Sequence, residues 1–130
     1  MKMAHAFIAV ALSVVAARPV RAASPSAEQA IESLMTKMFA AANAHDTDAF
    51  MAPYRHSPDL VFAINGAVIH GWDALHEQQL KWWNNGKSDA SYTQVGSPEF
   101  MALGPDVEMV TWPLAAHRTQ PDGKTVDYAF

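Results

Sequence analysis

The sequence contains no cysteine. That absence excludes disulfide staples, thiolate nucleophiles and a lipidated cysteine at a processing site. No apolar run reaches the ~20 residues needed to span a bilayer. The longest, Ala6 to Ala17, has twelve residues and is interrupted only by Ser13. There is no HExxH motif and no pair of histidines four apart, so neither a metal nor any other cofactor is expected. A nucleophile elbow of the G-x-S-x-G kind is also missing, which removes the simplest Ser-His-Asp reading. Internal repeats and low-complexity segments are absent. Basic residues are scarce, nine against thirteen acidic, for a formal net charge of −4. Nucleic acid and anionic membrane are therefore poor partners.

What is present begins with an export signal. Lys2 gives the positive start, Ala6 to Ala17 the apolar core, and Val20-Arg21-Ala22 a cleavage pattern. An amphipathic helix is the alternative, but the run has no polar face beyond Ser13. Residues 1–22 are accordingly assigned to a signal peptide cut near Ala22, although Arg18 and Arg21 blur the exact site. Cleavage removes three of the nine basic residues and no acidic one, moving the formal net charge from −4 to −7. A periplasmic or secreted protein is expected, with no membrane contact after cleavage. Residues 23–130 form one domain, long enough for a modest core.

Ser26 and Gln29 have capping-box spacing at the start of a first helix. Ile31, Leu34, Met35, Met38, Phe39 and Ala42 then make one apolar stripe. That helix should stop near Asn43 to His45, with Asp46 or Thr47 capping a short second helix over 48–54. The clearest local signal is "DLVFAINGAVIHG", in which two β-rich runs flank Asn65-Gly66, a two-residue hairpin turn. The register puts Phe62, Ile64, Ala67 and Ile69 on one face, and Val61, Ala63, Val68 and His70 on the other. A third helix is expected from about Trp72 to Asn84, with Asn85-Gly86 as its stop. Gln79 lies near the middle of its apolar face, flanked by Trp72, Leu75, Trp82 and Trp83. Strand-like runs follow over 91–95 (extending towards 103), 107–118 and 125–130. Pro113 implies an edge or bulge, and Gln120-Pro121-Asp122-Gly123 a turn. Helices packed on an antiparallel-rich sheet give an α+β domain. The last run ends in mid-strand, so one or two C-terminal strands are expected to be missing.

This order resembles the cystatin-like superfamily of nuclear transport factor 2-like, SnoaL-like and ketosteroid isomerase-like domains. The matching stretches are "MFAAANAHDTDAFMAPYR", "HSPDLVFAINGAVIHGWDAL" and "PDGKTVDYAF". The resemblance runs from Glu28 to Phe130. It implies a cone-shaped domain in which three helices pack on a curved, antiparallel-rich mixed sheet around a cavity. Such a scaffold hosts many activities, so it says little about function. Ketosteroid isomerase-like chemistry would need a tyrosine where Met38 stands and a base where Ala63 stands. Only its strand acid has a counterpart, Asp127, so steroid isomerisation by that mechanism is rejected.

His70 shares the Ala63 face, which the resemblance turns towards the cavity, and its ordinary pKa suits general-base work. A hydrogen-bonded histidine at a strand end is the plain alternative. Asp127 is the candidate acid, or else part of a solvated strand face. His76 and Gln79 fit the few polar groups of a mostly apolar pocket, or a wet helix end. Trp82 reads as cavity wall and Trp83 as packing. Met35, Met38, Tyr54 and Trp112 complete the expected lining. Phe62 belongs to it only if the register puts it inward.

The expectation is an exported binder of a small apolar molecule, specific ligand unassigned. The alternative is a cofactor-free lyase, isomerase or cyclase using His70 and Asp127. A homodimer through the apolar Phe62, Ile64 and Ile69 face is also expected.

Overall fold

The computed structural model describes residues 25–120 and 122–129, with the side chains of Pro25 and Ser26 left aside. The signal peptide, the Ser26 cap, Pro121 and Phe130 therefore lie outside the described residues. The element order is α1 (Pro25–Asn43), α2 (Thr47–Met51), β1 (Val61–Ile64), β2 (Ala67–His70), α3 (Trp72–Trp82), β3 (Ser91–Gln94), β4 (Glu99–Gly104), β5 (Val107–Thr111), β6 (Leu114–Thr119) and β7 (Thr125–Ala129). This is an α+β architecture. Among the described residues no helix is long and apolar enough to cross a membrane.

Both long helices end in the same way, with a residue in the left-handed region. At the end of α1, His45 (φ 53°) donates its N–H to the Ala42 carbonyl and Asp46 donates to Ala41. At the end of α3, Asn84 (φ 47°) donates to Lys81 and Asn85 to Leu80. These paired bonds close the last carbonyls in Schellman fashion, although neither left-handed residue is a glycine. Asp46 then caps α2, its carboxylate accepting from the Ala49 N–H at 3.0 Å. Helix α2 stops at Met51, before Pro53, and so is shorter than expected.

The β1–β2 hairpin has the register read from the sequence, Val61 opposite His70 and Ile64 opposite Ala67. Asn65 (φ 49°) and Gly66 (φ 78°) supply the two positive angles that its tight turn demands. The expected faces are inverted, however. Phe62, Ile64 and Ile69 are the half-buried set, whereas Val61, Val68 and His70 are exposed. Phe62 stands between Tyr54 and Trp82, at ring distances of 6.5 and 6.3 Å. The apolar face thus turns towards Tyr54 and Trp82. Alternation identifies two faces; apolar contact with the helices decides which one turns inward.

The three later strand-like runs resolve into five strands. Trp112-Pro113 divides the 107–118 run into β5 and β6, and Gly96 to Pro98 separates β3 from β4. β3 pairs with β6 and β4 with β5, both antiparallel. Val95 donates to the Pro113 carbonyl at 2.9 Å between the two ladders. The result is one long hairpin broken at its middle, where Pro113 has no N–H to donate. β7 adds to β6, giving the order β3-β6-β7. All ladders among the described residues are antiparallel, in keeping with the antiparallel-rich sheet expected.

Helix and sheet are joined at α1 and β3. The Asn43 side chain donates to the Tyr92 carbonyl (3.0 Å) and accepts from the Tyr92 N–H (2.8 Å), acting as one rung of a strand. Met51, Leu75 and Trp83 are the fully buried large side chains of the described residues. They lie at the junction of α2 and α3. Leu34 on the α1 stripe is left 41% exposed, so the apolar face of α1 is only partly covered.

Candidate functional site

A half-open cavity of about 810 Å³ lies between α1, α3, the tip of the hairpin and the inner face of β3, β6 and β7. Its size falls within the range of small-molecule sites. Met35, Met38 and Phe39 enter from α1 because they recur at helical spacing on one face. Tyr54, Phe62 and Trp82 form an aromatic side. Leu114, Ala116 and Arg118 alternate along β6, and Tyr128 projects beside them from β7.

Of the expected binding residues, Met35, Met38, Tyr54, Gln79 and Trp82 line this cavity, as does Phe62. His76 does not. Its ring stacks on Trp72 at 5.0 Å and its Nε2 meets the Asp48 carboxylate at 2.8 Å, so it ties α3 to α2. Trp112 is also elsewhere. It sits at the break in the long hairpin, its indole N–H donating to the Gly96 carbonyl at 3.3 Å. Trp83 is core, 1% exposed, yet its ring also borders the cavity.

Neither candidate acid–base residue belongs to the cavity wall. His70 is exposed at the end of β2, on the face turned away from Tyr54 and Trp82. Asp127 pairs with His117 (Nδ1 to Oδ1, 2.6 Å) on the outer face of β6–β7, where the two side chains are 83% and 56% exposed. The reason is alternation. Val126 and Tyr128 face inward because they are apolar or aromatic, and Asp127 between them must face outward. The two groups are thus on separate exposed surfaces, and the acid–base pair read from the sequence is corrected.

The polar groups that do face the cavity are few. Gln79 is 6% exposed and lines the cavity. Burial raises the Tyr54 phenol above its ordinary pKa, so it stays a neutral hydroxyl well into alkaline solution. The Tyr92 hydroxyl accepts the Trp83 indole N–H at 2.8 Å. The Tyr128 hydroxyl accepts from the Gln120 amide at 2.7 Å. Arg118 is the one charged side chain of the lining among the described residues, and no carboxylate or imidazole shares the wall. Four buried side-chain polar atoms among those residues have no hydrogen-bond partner: Thr47 Oγ1, Gln94 Nε2, Glu108 Oε2 and Arg118 Nε. Only Arg118 belongs to the cavity.

Sequence reasoning missed Arg118, Tyr92 and Tyr128. The alternation Leu114, Ala116, Arg118 was the available signal, but it does not by itself say which face of β6 turns inward. No group of three or more histidine or acidic side chains that could hold a metal occurs among the described residues.

No family model matches the sequence, and no curated protein matches it. Solved structures do match. An NTF-2 like protein of unknown function from Shewanella oneidensis MR-1 aligns with a TM-score of 0.66 and 22% identity, over 79% of this chain and 82% of its own. An uncharacterised protein with a cystatin-like fold from Caulobacter vibrioides gives 0.65 and 19%, over 80% and 73%. A ketosteroid isomerase-like protein from Erwinia carotovora atroseptica gives 0.53 and 23%, over 76% and 74%. The chain therefore has the cystatin-like fold, in the form shared by NTF2-like and ketosteroid isomerase-like proteins. At these identities the likeness concerns fold, and activity has to be argued from the cavity.

Proposed function

We propose that this protein is an exported binder of a small, largely apolar molecule, held between α1, α3 and the inner sheet face. The carrying observation is the composition of the cavity wall. Its sides are methionine, phenylalanine, tyrosine and tryptophan, with Gln79, Asn65, Arg118 and the tyrosine hydroxyls as polar points. Such a wall supplies apolar burial for most of a ligand and a few groups to orient it. The alternative of a cofactor-free lyase, isomerase or cyclase is weakened because His70 and Asp127, its named groups, lie on outer faces.

Export rests on residues 1–22, and N-terminal sequencing of the secreted protein should begin near Ala23. The homodimer remains part of the proposal, and light scattering tests it. Binding is tested with Trp82 and Trp83 as reporters, because both rings border the cavity. A panel of apolar small molecules should include compounds that shift the tryptophan emission, and Trp82→Ala should remove most of the shift. Gln79→Leu should keep the fold and weaken any ligand that hydrogen-bonds the amide. A panel with no effect on emission, together with no co-purified small molecule in native mass spectrometry, would refute the binding reading.

A further inference from the structure

The geometry points to an organic anion as the ligand class: an apolar body ending in a single carboxylate that pairs with Arg118. The inference rests on the binding reading above and adds the chemistry of one end of the ligand. Arg118 stands on β6 two residues beyond Ala116, on the face that lines the cavity. A guanidinium does not lose its proton in a protein, so its charge persists in the wall at every working pH. Its Nε is buried and has no hydrogen-bond partner. An unmet donor of a charged group is costly, and Arg118 is the one such group among the described residues that lines the cavity.

The chain does not lack acids that could have served. Thirteen carboxylate side chains are available, yet no ion pair holds Arg118 among the described residues. Asp89 is the acid that feels its field. That carboxylate is fully exposed; hydrogen bonding from the Thr119 side chain first, then from the Thr119 N–H at 3.0 and 3.2 Å, and last the Arg118 charge, hold its pKa below the ordinary value. It caps the end of β6 and does not line the cavity. Arg118 thus brings a positive charge without an ion-pair partner among the described residues to the cavity wall. A carboxylate matches its planar fork with two parallel hydrogen bonds. A phosphate monoester would bring a second negative charge, which no other cation of the wall could offset, so a monoanion is the better fit. Apart from Gln79 and Asn65, the remaining wall is apolar or aromatic, which sets the nature of the rest of the molecule.

Calorimetric titration of the full mature chain with matched pairs tests this: decanoate against decanamide, and naphthalene-2-carboxylate against its carboxamide. The carboxylate of at least one pair should bind about tenfold more tightly than its amide, a difference of about 1.4 kcal/mol. In Arg118→Gln the ratio should fall to about one, whereas Arg118→Lys, which keeps the charge and loses the fork, should retain part of it. Circular dichroism and melting of both variants establish that they fold. Amides that bind as well as carboxylates to the wild type would overturn the anion proposal and leave the binding reading standing. A preference that survives in folded Arg118→Gln would overturn the role of Arg118. Failure of all four probes to bind would overturn the anion proposal, and the emission panel above then decides the binding reading separately.

Discussion

Trp83 donates its indole N–H to the Tyr92 hydroxyl across 2.8 Å, and this bond joins the end of α3 to β3 at the back of the cavity. The ring is 1% exposed and meets Phe50 edge-on at 5.1 Å. The ring is buried, so the partner of its N–H matters more than the bond's own strength. Tyr92→Phe keeps the aromatic volume and strands the donor, and should destabilise the fold by about 1–3 kcal/mol. Trp83→Ala removes the ring as well and should cost about 3–5 kcal/mol. Urea denaturation midpoints check both. A Tyr92→Phe midpoint equal to wild type would mean that the indole N–H is satisfied in another way.

The elements that could be read from the sequence are those fixed by local chemistry. Asn65-Gly66 determined the hairpin register because two successive positive φ angles admit few other residues. Asp46 was legible as a cap, and Asn85-Gly86 marked the stop of α3 for the same local reason, although the helix itself already ends at Trp82. Orientation was not legible. Period-two alternation defines two faces of β1–β2, β6 and β7 but is silent on which one the helices cover. This cost the placement of His70, Asp127 and Arg118 together. His76 and Trp112 were misplaced for a related reason. Helical spacing put His76 near the apolar stripe of α3, but Asp48, distant in sequence, supplies its partner. Trp112 depends on the break at Pro113, whose geometry is tertiary.

Tyr54 gives a pH signature. Burial favours its neutral form, so the folded-state pKa lies above the unfolded value of about 10. Below that unfolded value both states hold the proton and the group adds no pH dependence. Above it the unfolded chain ionises first. The contribution is therefore fully present below about pH 10 and is lost as the pH rises through the folded pKa. Denaturant midpoints at about pH 9 and about pH 11 should fall more steeply for wild type than for Tyr54→Phe. Phenolate absorbance should show one late-titrating tyrosine that the variant lacks. Identical pH slopes in the two proteins would show that Tyr54 is not held in its neutral form.

The outward placement of His70 and Asp127 can be tested directly. Among the described residues Asp127 pairs with His117, and that pair is largely exposed, so solvent screens it. His70 occupies an exposed strand end opposite Val61. Neither side chain is among those that line the cavity. His70→Ala and Asp127→Asn should each keep the affinity for a cavity ligand within about twofold, well below the factor of ten that a lost charged contact produces. Stability should change by less than about 1 kcal/mol, the range expected for surface pairs. Gln79→Leu is the internal comparison, because Gln79 lines the cavity and its loss should alter affinity with little change in melting. The three variants together separate wall from outer face. A tenfold or larger loss of affinity or of any turnover in His70→Ala or Asp127→Asn, with Gln79→Leu unaffected, would place the chemistry on the exposed sheet face and remove the cavity from the function.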